Sequence, residues 1–274
     1  MSKLRDKLYI FDLENTLCGP DGVVLPTNAD MLQLLALRGA RYTVISDCPP
    51  DVVERQLQGL PQPGAPVICS GGALLMDLQT GKTVQKTLMS RPDAQTIVWT
   101  LERAFPTVGL SIQICDGPFQ IVRANYYTEE YLRARGFGGI LIQLENVPEN
   151  WLNVSVFAEP TLLNEVEEYL VKKVLAGEFV LNRRSPSQLL VQPQQASLAQ
   201  TVQMVCEHAN VALADVCALG CTGADAAWIG LAGYSTAVAD APTEVKLAAQ
   251  QVSLCTAAEA AAAEFMYQSL KQFE

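Results

Sequence analysis

The first ninety or so residues alternate in a way that leaves few folds open. "KLYIFDL" is an apolar run of strand length, "NADMLQLLALRGA" repeats apolar residues at helical spacing and stops at Gly39, and "RYTVISD" predicts a second buried strand. "PPDVVERQLQGL" follows with prolines where a first helical turn tolerates them, and "APVICSGGALLMD" supplies a strand, a glycine turn and another strand. Strands that are apolar throughout need cover on both faces, so this βαβαβ rhythm predicts a parallel sheet flanked by helices.

The rhythm changes near Thr80 and returns after "QPQQAS", which ends at Ser197. In between, "LQTGKTVQKTLM" predicts a hairpin turning at Gly81, and "LSIQICDGPFQIVRA" predicts two strands around Asp116-Gly117. Helices are expected at "RPDAQTIVWTLERAF", "NYYTEEYLRARG" and "TLLNEVEEYLVKKVLAG", and strands at "NWLNVSVFAE", "EFVLNRR" and "QLLVQP". The expected organisation is an α/β core, residues 1–80 and 188–274, interrupted by an α+β insert, residues 81–187. In the returning section the helices "LAQTVQMVCEHANV", "ADAAWIGLAG" and "PTEVKLAAQQ" alternate with the strands "DVCALGC" and "YSTAVAD". The alanine-rich "AAEAAAAEFMYQSLKQF" predicts one long closing helix.

Composition removes several functions. A net charge of −10 offers no basic footprint for nucleic acid, and the densest basic cluster is Arg183-Arg184. No apolar run reaches membrane-spanning length, and the N-terminal segment meets Asp12 before a signal-like apolar stretch develops. The expectation is a soluble, cytoplasmic protein whose partner is a small molecule. Eight scattered cysteines without a CxxC pair predict free thiols. The single histidine, His208, falls on an amphipathic helix pattern and predicts a surface residue rather than a zinc ligand.

In a parallel α/β sheet, ligands bind beyond the carboxyl ends of strands. Four such ends carry polar residues: Asp12 and Glu14; Ser46, Asp47 and Cys48; Ser70, Gly71 and Gly72; and Gly220, Cys221, Thr222 and Asp225. Carboxylates at two ends with a hydroxyl at another have the chemistry to hold a metal and a phosphate together. Each residue alone is equally suited to cap a helix.

In their order along the chain these segments resemble the haloacid dehalogenase superfamily of phosphatases, in its Cof-like branch with a type IIB cap. "FDLENTL" sits where that family has Asp-x-Asp-Gly-Thr-Leu, "VISDCPP" stands for its Ser/Thr-Gly-Arg segment, and "VICSGGALLMD" for a segment usually containing Asn-Gly-Ala. "RRSPSQLLVQPQQASLAQTV" matches the stretch leading to a catalytic lysine, and "ALGCTGADAAWIGLAGYSTAVADAPTEVKLAA" the Gly-Asp-x-x-Asn-Asp run with its sequel. The resemblance implies a Rossmann-like core with an inserted cap, an aspartyl-phosphate mechanism on a small phosphorylated metabolite, and Mg²⁺ as cofactor. It assigns Asp12 as nucleophile and Glu14 as acid and base. Thr16, Ser46, Gly71, Arg183 and Arg184 become substrate contacts, and Asp12, Glu14 and Asp225 the metal site.

Departures from the pattern carry as much information. Glu14 replaces the second Asp with a side chain one methylene longer, and Asn15 replaces the glycine after it. Asp47 and Cys48 stand for Gly and Arg. Ala196, or Leu198 in a shifted register, takes the place of the lysine, and Cys221 and Ala224 replace an Asp and the Asn. A neutral thiol is a poor ligand for Mg²⁺, which prefers hard oxygen donors. The expectation is therefore weak phosphatase activity, with Lys82, Lys86, Arg123, Arg183 or Arg184 as substitute cations. The alternatives are a non-catalytic ligand- or partner-binding protein, and a thiol or soft-metal site formed by Cys18, Cys48 and Cys221.

Overall fold

The computed structural model describes residues 4–19, 21–173 and 179–273. In chain order, β1 (Leu8–Asp12), α1 (Pro26–Leu37), β2 (Arg41–Ile45), α2 (Pro50–Gln56), β3 (Val67–Cys69), β4 (Leu74–Asp77) and β5 (Lys82–Lys86) come first. Then follow α3 (Arg91–Ala104), β6 (Gly109–Ile114), β7 (Phe119–Arg123), α4 (Tyr126–Arg135), β8 (Gly139–Leu141) and β9 (Trp151–Phe157). They are joined by α5 (Pro160–Lys173), β10 (Phe179–Ser185) and β11 (Gln188–Pro193). The chain returns through α6 (Leu198–Ala209), β12 (Val216–Gly220), α7 (Ala226–Ile229), β13 (Tyr234–Ala237), α8 (Thr243–Ala248), β14 (Gln251–Val252) and α9 (Ala261–Phe273).

Two compact units result, Met1–Val84 with Leu198–Glu274, and Gln85–Ser197. The insert thus runs later at both edges than residues 81–187. β5 belongs to the first sheet, whereas β11 pairs with β9 and β10 and keeps the chain in the second unit for ten residues longer than expected.

The first unit is built on an eight-stranded sheet of order β14-β13-β12-β1-β2-β3-β4-β5. It is parallel from β14 to β3 and turns antiparallel at the β3–β4 pair. Central β1 is buried at every position, as its unbroken apolar run requires. One of its faces packs Leu8 and Ile10 against Val202, Val205 and Trp228, and the other packs Tyr9 and Phe11 against Phe265 of α9.

The second unit is a six-stranded sheet, β10-β11-β9-β6-β7-β8. Alternate residues on β6 and β9 pack Leu110, Ile112, Val154 and Val156 with Ile97 and Leu101 of α3 and Leu163 and Val166 of α5. The intervening residues Ser111, Gln113, Asn153 and Ser155 are polar and buried.

The closing helix is shorter than the alanine run predicts. Thr256 and Glu259 form a reciprocal cap around a single turn, Ala260 takes a left-handed backbone (φ 65°), and α9 starts only at Ala261. Asn28 fixes that start, its Oδ1 accepting from the Ala263 N–H at 2.9 Å while its Nδ2 donates to Leu17 O at 2.9 Å. Helix propensity is outweighed here by caps on both sides of the break. The segment expected as the helix "ADAAWIGLAG" is a capped turn followed by the four-residue α7. Among the described residues no helix is long and apolar enough to cross a membrane.

Candidate active site

Asp12 is the last residue of β1 and is fully buried. The loop after it closes through Cys18 N–H donating to Leu13 O at 2.8 Å, with Asn15 left-handed at φ 56°, ψ 27°. Asparagine tolerates that conformation better than most residues, so the turn forms without glycine. This curl brings the Thr16 hydroxyl back to donate to Asp12 Oδ2 at 3.1 Å. Thr16 therefore orients the carboxylate rather than projecting away from it.

Ser46 caps the end of β2, and nearly all of its polar atoms are held. Its N–H donates to Ile68 O at 2.8 Å, its carbonyl accepts from Gly71 N–H at 3.0 Å, and its hydroxyl oxygen accepts from Cys48 N–H at 3.0 Å. The hydroxyl proton goes to Glu14 Oε1 across 2.5 Å. The extra methylene of Glu14 thus lets the carboxyl reach the β2 end and engage the hydroxyl expected to meet a phosphate. Gly71 sits in a run of three left-handed residues, Ser70, Gly71 and Gly72, and spends its amide on Ser46. Asp47 is buried beside this pair.

Asp225 anchors the loop after β12. Its Oδ2 accepts from Cys221 N–H at 2.9 Å, Thr222 N–H at 2.7 Å and the Thr222 hydroxyl at 3.0 Å, and its Oδ1 accepts from Trp228 Nε1–H at 2.8 Å. The carboxylate lies flat against Gly220, where a β-carbon would come within 2.9 Å of Oδ2. Three of these donors converge on Oδ2 and one reaches Oδ1, so hydrogen bonds from its own loop and from Trp228 hold the carboxylate in place. Asp225, expected to ligate a metal, is fully buried and staples its own loop. The donor set fits Mg²⁺ poorly: a thiol at Cys221, an Asp225 carboxylate held by four donors, and one Asp12 oxygen bound to Thr16.

The thiols are not a substitute centre. Burial and the Glu14 and Asp12 carboxylates push the Cys18 thiol up, and burial with Asp12, Asp240 and Asp225 does the same to Cys221, against an opposing pull from Lys246. Both stay protonated at neutral pH. Among the described residues no three His, Cys, Asp or Glu side chains converge to hold a metal ion, which corrects the expectation of a site made by Cys18, Cys48 and Cys221.

Arg183 Nη1 pairs with Glu167 at 3.2 Å, and Nη2 donates to Asn164 at 2.7 Å and Pro160 O at 3.3 Å. Arg123 pairs with Glu102 at 3.2 Å, Arg184 is buried, and Lys82 and Lys86 are exposed. Ala196 is buried, with its carbonyl accepting from Gln192 Nε2 at 2.6 Å. His208 lies exposed in the last turn of α6. The cation missed from sequence is Lys246: α8 packs on the turn Gly223–Asp225, and the charge of Lys246 is felt at Cys221. Its place in "PTEVKLAA", one helix after the strand end, was the available signal.

Comparison with known proteins agrees with this fold. A family model described as haloacid dehalogenase-like hydrolase matches residues 9–266. A haloacid dehalogenase-like hydrolase from Bacteroides thetaiotaomicron superposes with a TM-score of 0.81 at 17% identity, covering 96% of this chain and 99% of that one. One from B. subtilis gives 0.80 at 19%, covering 95% and 99%. A structure described as a subclass IIB sugar phosphatase gives 0.82 at 15%, covering 96% and 98%.

Proposed function

The chain belongs to the haloacid dehalogenase-like hydrolases, and from that premise we propose that it hydrolyses a small phosphate monoester slowly, through Asp12. The observation that carries this reading is the buried Asp12 at the end of the central strand, oriented by Thr16 and flanked by the Glu14–Ser46 pair. Asp12 attacks phosphorus as the bond to the leaving alkoxide breaks, and Glu14 gives that alkoxide its proton. Water then attacks the phosphorus of the aspartyl-phosphate while Glu14 takes its proton, which frees Asp12 and inorganic phosphate. Thr16 fixes which carboxylate oxygen faces the substrate, and Ser46 fixes the rotamer of Glu14.

The rate follows from what is absent. In this family Mg²⁺ and a lysine offset the charge of the phosphoryl group; here Cys221 takes the place of a metal-binding Asp, and Ala196, or Leu198 in a shifted register, that of the lysine. Loss of one electrostatic stabiliser typically lowers turnover by about 100- to 1,000-fold, and two such losses combine less than multiplicatively. A second reading, ligand binding without turnover, is favoured by the hydrogen bonds that hold Asp225 in its loop. The test is hydrolysis of an aryl phosphate and a panel of sugar phosphates by the natural chain and by Asp12→Asn. Slow turnover abolished by the substitution supports the phosphatase. Turnover equal to that of the variant points to the binding role.

A further inference from the structure

We propose that the strand-end site of this chain is a vacated Mg²⁺ site: it binds no divalent cation as it stands, and Cys221→Asp alone would restore binding. The inference does not depend on catalysis, because its readout is metal binding.

The parallel register places the two relevant loops side by side. β1 and β12 pair from Leu8↔Val216 to Phe11↔Leu219, so Asp12 stands level with Gly220 and Cys221 is one residue beyond. Neighbouring strands run about 4.8 Å apart, which brings residue 221 within side-chain reach of the Asp12 carboxylate. Magnesium demands near-octahedral oxygen coordination and uses one or two carboxylates with waters. The natural chain offers Asp12, one of whose oxygens accepts from Thr16, and a sulfur atom that is too soft for this ion.

Asp225 does not fill the gap. Moving its carboxylate toward a metal would strip Cys221 N–H, Thr222 N–H, the Thr222 hydroxyl and the fully buried Trp228 Nε1–H of their acceptor together. It would also lift the side chain off Gly220, against which it is packed. The loop is thus held without an ion, and position 221 stands one residue beyond the level of Asp12 on the neighbouring strand end. A carboxylate there would give the ion two hard ligands on adjacent strand ends, the number Mg²⁺ sites ordinarily use.

The test titrates the whole natural chain and the C221D variant with Mg²⁺, read by thermal unfolding, and with Mn²⁺, read by electron paramagnetic resonance of the free ion. The natural chain is expected to show no bound Mn²⁺ and no Mg²⁺-dependent rise in Tm. C221D is expected to bind one equivalent and to rise by roughly 5 °C at saturating Mg²⁺. A further Asp12→Asn change in C221D should abolish that rise. Stoichiometric binding by the natural chain, lost in D12N, would overturn the first half. A folded C221D that binds no ion would overturn the second, and C221E, with a longer carboxylate at the same place, gives the same decision if C221D does not fold.

Discussion

Removing the Asp225 carboxylate is expected to destabilise the first unit severely, and the size of the loss can be worked from its four donors. Hydrogen bonds to a charged group contribute about 1.5–3 kcal/mol each, and a buried donor left without an acceptor costs a further ~1–3 kcal/mol. In Asp225→Ala the N–H groups of Cys221 and Thr222, which are half-buried, regain water as the loop loosens, so their loss is partly recovered. Trp228 Nε1–H is fully buried and regains nothing. We expect a net loss of about 3–5 kcal/mol and a fall in Tm on the order of 10 °C. Asp225→Asn keeps the shape and one acceptor oxygen but turns an amide N–H₂ toward donors, so about half that loss is expected. Urea unfolding followed by tryptophan fluorescence and circular dichroism measures both. A folded D225A within about 1 kcal/mol of the natural chain would refute the staple and reopen Asp225 as a ligand.

The same packing makes Gly220→Ala costly, because the new methyl meets the Asp225 Cβ at 2.8 Å; a loss of about 1–3 kcal/mol is expected in the same urea assay. Glu264 should give an acid-side stability loss. Burial raises its carboxyl, but the Ser253 hydroxyl and the N–H groups of Cys255 and Leu254 outweigh this and hold it below its ordinary 4.5. A depressed carboxyl stabilises the fold above the unfolded-state value, and that contribution disappears as pH falls below 4.5 through the folded value. Glu264→Gln is expected to flatten the stability profile in that window. Thiol labelling at mildly alkaline pH should modify Cys115 and Cys255, which are half-exposed, while Cys18, Cys48, Cys69 and Cys217 react only after unfolding. Rapid labelling of Cys18 in the folded protein would contradict the buried loop.

Much of this architecture was legible because apolar runs and helical periods are repeated signals. β1 and β12 are each apolar nearly throughout, and each stands where that pattern puts it. Elements held by single side chains were not legible. β8 and the two-residue β14 are too short to carry a period, and the break at Ala260 depends on the Thr256–Glu259 cap together with Asn28, which is more than two hundred residues away in sequence. At the site, the sequence identified the residue types but not where their hydrogen bonds go. Glu14 read as an acid with the wrong reach, and the structure gives that reach a partner in Ser46. Asp225 read as a metal ligand because a carboxylate after a strand suits either role, and only its four donors distinguish a ligand from a cap.

The most direct test of the account is covalent. Incubation with an aryl phosphate, rapid reduction with borohydride and peptide mass spectrometry would locate any aspartyl-phosphate, since borohydride converts an acyl phosphate to the alcohol. The account predicts a single reduced residue, Asp12, absent when Asn replaces it. Turnover without reduction at Asp12, or reduction at another carboxylate, would contradict it.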